Sequence, residues 1–214
     1  MTEKPVPNPH APAPRKGIVY IISAPSGAGK TSLCRELLAA NQEFSVSISY
    51  TTRPIRPGET DGVDYHFISV EKFQAMIDAS AFAEWAKVHD NYYGTSLETL
   101  ERAMNSGHDI LLDIDCQGAA HLNKSLDNGV FIFILPPDFE ELQRRLKGRN
   151  TDPEEVVQRR IENARKEVLE AAWYDYIIVN DNFDFALEQL KAIMLAEPCR
   201  ARVALPTVQG ILNN

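Results

Sequence analysis

Lys30 and Thr31 close the run Ser23-Ala-Pro-Ser-Gly-Ala-Gly-Lys-Thr31, and those residue types at that spacing are suited to holding a polyphosphate. Gly27 and Gly29 permit backbone angles that turn successive N–H groups inward, which makes an anion nest at a helix N-terminus. Ala24, Pro25, Ser26 and Ala28 complete the cradle. Lys30 adds a point charge for β- and γ-phosphates, and the Thr31 hydroxyl suits Mg²⁺. One position departs from the usual G-x-x-x-x-G-K-(S/T) pattern: its first glycine is Ala24. A chance Gly-rich turn is the bland alternative to a nucleoside-triphosphate site.

Other side chains have chemistry to offer. Arg53 and Arg56 stand three apart in Tyr50-Thr-Thr-Arg-Pro-Ile-Arg-Pro-Gly58, a loop stiffened by two prolines. Two forked guanidinium groups with a tyrosine hydroxyl would clamp a monophosphate, although spacing alone favours solvated surface charge. Glu84 lies within the alternating run Phe82-Ala-Glu-Trp-Ala-Lys-Val88. An acceptor-only carboxylate suits a purine edge made of donors, as guanine's N1–H and N2–H₂ are, but periodicity alone favours an exposed strand face. Asp113 and Asp115 end the apolar run Ile110–Ile114, where ligands of α/β proteins bind; turn-forming strand ends are the alternative. Arg144, Arg145, Lys147, Arg149, Arg159, Arg160, Arg165 and Lys166 are interspersed with acids, as on two helices with charged faces. His10, His66, His89, His108 and His121 show no ligand or triad spacing, and neither do Cys34, Cys116 and Cys199.

The elements that must position these residues follow from periodicity. Ile18–Ile22 reads as a buried strand leading into the Gly-rich loop and a helix over about 30–40. Phe44–Ser49, Asp64–Ile68 and Phe82–Val88 alternate as strands around a short helix marked by Phe73, Met76 and Ile77, with Ser69 as N-cap. Residues 45–94 are therefore strand-rich and suggest an insert of mostly antiparallel strands. Thr95 and Glu98 have capping-box spacing before a helix that Gly107 ends. Ile110–Ile114 and Val130–Leu135 are near-continuous apolar runs, typical of strands covered on both faces. Helices are predicted from Phe139 to near Gly148, from Thr151-Asp-Pro-Glu-Glu155 through Val168, and from Phe183 to Leu195; Tyr176–Val179 is the last strand. The sum is a parallel α/β core with excursions at about 45–94 and 138–168.

The 214 residues are 44% hydrophobic and 24% charged, which fits one compact domain. A net charge of −8 argues against a general nucleic-acid or membrane-surface role, without excluding a small anionic substrate. Without an apolar run of transmembrane length or a signal-type N-terminus, a reducing cytoplasm fits best. Residues 1–16, with Pro5, Pro7, Pro9, Pro12 and Pro14, read as a disordered tail, and 197–214 as a C-terminal tail with no clear period. A homo-oligomer is compatible with these patterns.

The ordered motifs APSGAGKT, SYTTRPIRPGE, DYHF, AEWA, NYYGTS, DIDCQG, RRLKGR and VND, across roughly residues 17–195, resemble guanylate kinase. The resemblance implies a P-loop three-layer core with a parallel sheet (17–44, 95–137 and 169–196), a GMP-binding insert (45–94) and a helical lid (138–168). It implies that Arg53, Arg56, Tyr65 and Tyr93 hold the GMP phosphate, and that Glu84 reads guanine, helped by Ser49 and Thr95. By the same resemblance Asp113 holds Mg²⁺ directly or through water, with Thr31. Asp115 faces the GMP side, and Asn180 lies near the ATP base. Arg145, Arg149 and Arg160 then join Lys30 as the catalytic set that closes onto the transferring phosphoryl group. The implied reaction is reversible phosphoryl transfer from ATP to GMP, with dGMP as a further acceptor.

Two other readings stay open. A non-catalytic guanylate-kinase-like interaction module would typically carry degraded phosphate-binding motifs, whereas Lys30, Thr31 and the arginines are intact here. A related P-loop kinase for another acceptor is disfavoured by the set Arg53, Arg56, Tyr65 and Glu84.

Overall fold

The computed structural model describes residues 15–41, 44–88, 90–148 and 154–212. Two sheets organise it. The larger has five parallel strands in the order β2-β7-β1-β8-β9: β1 Val19–Ser23, β2 Ser45–Val46, β7 Ile110–Asp113, β8 Gly129–Leu135 and β9 Tyr176–Val179. The smaller, in the order β4-β3-β6-β5, comprises β3 Tyr50–Thr51, β4 His66–Phe67, β5 Phe82–Val88 and β6 Asn91–Ser96. Its β3–β6 and β5–β6 pairings are antiparallel, and β3–β4 is parallel.

Strand β1 is covered on both faces because side chains alternate. Tyr20 and Ile22 pack with Leu33 and Leu37 of α1 (Lys30–Ala40) and with Leu190 of α7 (Phe183–Ala196). Val19 and Ile21 pack the other way, in the cluster that holds Leu100 of α3 (Leu97–Ser106) and Leu122 of α4 (Cys116–Asn123). Each such fully buried aliphatic side chain contributes about 1.5–3 kcal/mol. This three-layer core fixes the C-terminal ends of β1 and β7 rigidly, and the chemistry-bearing loops leave from those ends. Helix α2 (Val70–Asp78) covers the small sheet through Phe73, and its N-cap is Ser69 as predicted. A third cluster, Leu142 and Leu146 against Val157, Ile161 and Ala164, joins α5 (Phe139–Lys147) to α6 (Glu154–Leu169).

Several local expectations change. The strand expected over Phe44–Ser49 shortens to Ser45–Val46, which pairs with β7 at the edge of the large sheet. The chain then crosses to the small sheet at Tyr50, so β2 belongs to the core sheet. The strand expected over Asp64–Ile68 is only His66–Phe67. Ser96, not Thr95, caps α3, its hydroxyl accepting from Thr99 N–H, because the Thr95 hydroxyl is turned inward to Glu84. Helix α4 had no periodic signal: it is short and contains Gly118. The segment from Glu197 is a 3₁₀ turn followed by α8 (Ala201–Leu212). The tail expected over 1–16 lies mostly outside the described residues, but Arg15 is held by Asp109, Nη1 and Nη2 donating to its carboxylate at 2.7 and 2.8 Å. Among the described residues no helix is long and apolar enough to cross a membrane.

Candidate active site

The loop between β1 and α1 has the conformation its glycines allow. Gly27 and Gly29 lie at φ 95° and 94°, in the left-handed region that other residues avoid. A Cβ on Gly29 would also stand 2.4 Å from Asn180 Nδ2. Ala24 is not among the positive-φ residues, so nothing in the backbone requires the glycine that the usual pattern places there. Lys30, in the first turn of α1, puts Nζ 2.5 Å from Asp113 Oδ1 and donates to the Ile114 carbonyl at 2.6 Å. Burial pulls the ammonium pKa down, but the adjacent Asp113 charge and hydrogen bond outweigh it and hold Lys30 above its ordinary value. It is a fixed cation.

A cleft of about 970 Å³ runs from this loop to the small sheet. Ser26, Lys30 and Thr31 line one side, Ser49, Arg53, Arg56, Tyr65, Glu84 and Tyr93 the other, with Asp113 and Asp115 between them. Residues separated widely in sequence are thus gathered because β3, β5 and β6 face the ends of β1 and β7. Arg53 is 9% exposed and its fork is met by Glu59, with Nη2–Oε1 at 2.7 Å and Nη1–Oε2 at 3.0 Å. Hydrogen bonding to Glu59 raises its pKa, burial partly opposing, and Tyr93 adds a further hydrogen bond. The guanidinium also lies 5.4 Å from the Tyr65 ring centre. Tyr65 and Tyr93 meet edge-on at 6.0 Å. Arg56 is exposed, its backbone N–H donating to Glu59 at 2.8 Å.

Glu84 is the least ordinary group. It is 6% exposed, and its Oε1 accepts from the fully buried Thr95 hydroxyl at 2.6 Å. Burial pushes its carboxyl up to about 7, the Thr95 hydrogen bond opposing and the charge of Asp115 adding. The first turn of α4 presses against it: a Cβ on Gly118 would be 2.5 Å from Oε2, which explains a glycine inside a helix. Asp115 both faces the cleft and caps α4, its Oδ1 accepting from Gly118 N–H at 2.8 Å.

Of the arginines expected in the lid, neither described one lines the cleft. Arg145 sits on the far side of the loop, its Nε on Glu141 at 2.7 Å and Nη2 on the Asn180 carbonyl at 3.0 Å. Arg160, on α6, is half-buried. Arg149 lies outside the described residues. Asn180 is 4% exposed and gives its Nδ2–H to the Ala28 carbonyl at 2.8 Å.

Three carboxylates that orient this machinery escaped sequence reading. Glu59 lies inside the quoted motif, and Glu141 stands four residues before Arg145, a spacing that pairs side chains on a helix and could have revealed it. Hydrogen bonds from Arg144 and Arg145 hold the Glu141 carboxyl down to about 2. Glu167 of α6 faces the Ser26 N–H, with burial raising its pKa, and no local pattern announces it. The two buried thiols are not poised to react: burial pushes Cys116 up to about 12 and Cys34 higher, well away from a reactive thiolate.

Among the described residues no three His, Cys, Asp or Glu side chains form a metal cluster. Mg²⁺ does not require one, since it binds through one or two protein oxygens plus substrate phosphates and water. The Thr31 hydroxyl and Asp113 carboxylate, both on the cleft wall, are hard oxygen donors of that kind.

A family model described as guanylate kinase matches residues 16–197. A guanylate kinase of Syntrophotalea carbinolica is 60% identical over 187 residues, covering 87% of this chain and 89% of that protein. One of Geobacter sulfurreducens is 55% identical over 199 residues, covering 93% and 98%. The crystal structure of guanylate kinase from Anaplasma phagocytophilum superposes with a TM-score of 0.72 at 31% identity, covering 86% of this chain and 88% of that one. With the anion loop, the paired arginine and tyrosines and the buried glutamate around one cleft, these matches show that the chain belongs to the guanylate kinase family.

Proposed function

We propose that this chain transfers the γ-phosphoryl group of ATP reversibly to the phosphate of GMP or dGMP, giving ADP and the corresponding diphosphate. The observation that carries this reading is the buried Glu84, held by the Thr95 hydroxyl behind it and facing, across one cleft, the fixed Lys30 at the end of the anion loop. Glu84 and Thr95 would take the guanine edge with Ser49, and Asp115 would border it. Arg53, Arg56, Tyr65 and Tyr93 would hold the acceptor phosphate. The loop 24–29, Lys30 and Thr31 would hold the donor triphosphate.

An oxygen of the GMP phosphate forms the new bond to the γ-phosphorus, and the bond from that phosphorus to the β–γ bridging oxygen breaks. The acceptor is already an anion, so no base has to remove a proton; positioning and charge neutralisation carry the reaction. Lys30 neutralises the donor side, and Arg145, Arg149 and Arg160 supply further positive charge when α5 and α6 close. Thr31 and Asp113 would hold Mg²⁺, which would supply charge neutralisation at the donor phosphates. Closure would exclude water and suppress hydrolysis of ATP. A cytoplasmic setting accords with its nucleotide substrates and reduced cysteines.

The test is ADP release from ATP and Mg²⁺ with GMP, dGMP, AMP, UMP or dTMP as acceptor. Turnover confined to the guanine nucleotides, abolished in Lys30→Ala and weaker or less selective in Glu84→Ala, is expected. A folded chain that binds GMP and never turns over would instead be a binding module.

A further inference from the structure

Asn180 follows β9 directly, and its backbone N–H continues the pairing to the Leu135 carbonyl at 2.7 Å. Its side chain is buried and turned to the Gly-rich loop. Nδ2 donates at 2.8 Å to the carbonyl of Ala28, 152 residues away in sequence, and Gly29 is packed so closely that a Cβ there would lie 2.4 Å from Nδ2. Its own carbonyl accepts from Arg145 Nη2 at 3.0 Å, while Arg145 Nη1 reaches the same Ala28 oxygen at 3.4 Å.

These contacts converge on one peptide plane. The Ala28 carbonyl and the Gly29 N–H belong to the same trans peptide, so they point in opposite directions. Holding the carbonyl towards Asn180 and Arg145 aims the Gly29 N–H the other way, into the concavity where a nest binds anions. We propose that Asn180 is a positioning residue for the triphosphate: it locks the Ala28–Gly29 peptide and seats Arg145 on the same strut. The inference rests on the ATP-site reading of the loop and gives Asn180 a role at the phosphates in place of one at the base.

A base-free probe separates the two roles. Inorganic tripolyphosphate with Mg²⁺ is titrated calorimetrically into the wild type, Asn180→Ala and the isosteric Asn180→Asp, which lacks the donor. KM values for ATP and GMP are measured alongside. Loss of one buried hydrogen bond that orients a donor predicts about a tenfold weaker tripolyphosphate affinity, an equal rise in KM for ATP, and a KM for GMP unchanged within about twofold. Weakened ATP with unchanged tripolyphosphate would place Asn180 at the base and overturn the proposal. So would a lowered melting temperature with both affinities intact, or failure of both variants to fold. A wild type that binds tripolyphosphate without phosphorylating GMP would sink the kinase reading and leave this inference standing.

Discussion

Burial of Glu84 pushes its carboxyl up to about 7, so the group that would accept from guanine changes charge within the working pH range. Only the ionised form offers acceptors to both guanine donors. A carboxyl titrating near 7 is about 90% ionised at pH 8 and about 10% at pH 6, so kcat/KM for GMP falls about tenfold over that interval through this residue alone. The GMP phosphate also titrates, near about pH 6 as phosphate monoesters do. The ratio of wild type to Glu84→Gln, measured in the same buffers, removes that contribution because both proteins meet the same substrate. Stability moves the opposite way. The folded-state value lies above the ordinary 4.5, so the stabilising contribution is complete below 4.5 and lost as pH rises through about 7. The full loss is about 3 kcal/mol. Glu84→Gln should therefore melt above the wild type at pH 8.5 and no higher than it at pH 5. A wild-type to Glu84→Gln ratio that stays flat from pH 6 to 8, with no such crossover in melting, would refute the burial argument.

Two further perturbations test the anion sites. Gly29→Ala combines a strained φ with a Cβ 2.4 Å from Asn180 Nδ2, and should lower kcat/KM for ATP by at least about thirtyfold. Gly58→Ala, at φ +88° with nothing within 4 Å, meets strain alone and should lose stability by about 1 kcal/mol without that loss of ATP use in a steady-state assay. Glu59→Gln removes the charged partner of the Arg53 fork, and should raise KM for GMP about three- to tenfold with kcat within about twofold. Because Arg53 holds the Glu59 carboxyl below its ordinary value, that ion pair's stabilisation is present above about pH 4.5 and disappears as pH falls through the lowered value. The acid limb of a melting profile should be shallower in Glu59→Gln.

What the sequence alone determined was whatever is encoded contiguously. The strand, Gly-rich loop, Lys30 and helix lie within one short stretch, and the apolar runs of β7 and β8 announce strands covered on both faces, because backbone conformation and side-chain alternation are local properties. The motif order carried the family. Tertiary structure decided which partner each group takes. Alternation places Glu84 and Ala86 on one face of β5 but cannot say that this face is the buried one; the approach of α4, allowed by Gly118, turns it inward. The Thr95 hydroxyl, read locally as a helix cap, is drawn away by that same carboxylate, and Ser96 takes over the cap. Arg53 and Arg145 are oriented by Glu59 and Glu141, and the loop carbonyl of Ala28 by Asn180 from the far end of the chain. A hydrogen bond across 152 residues leaves no periodic trace, since its geometry exists only once the sheet has placed β9 beside β8.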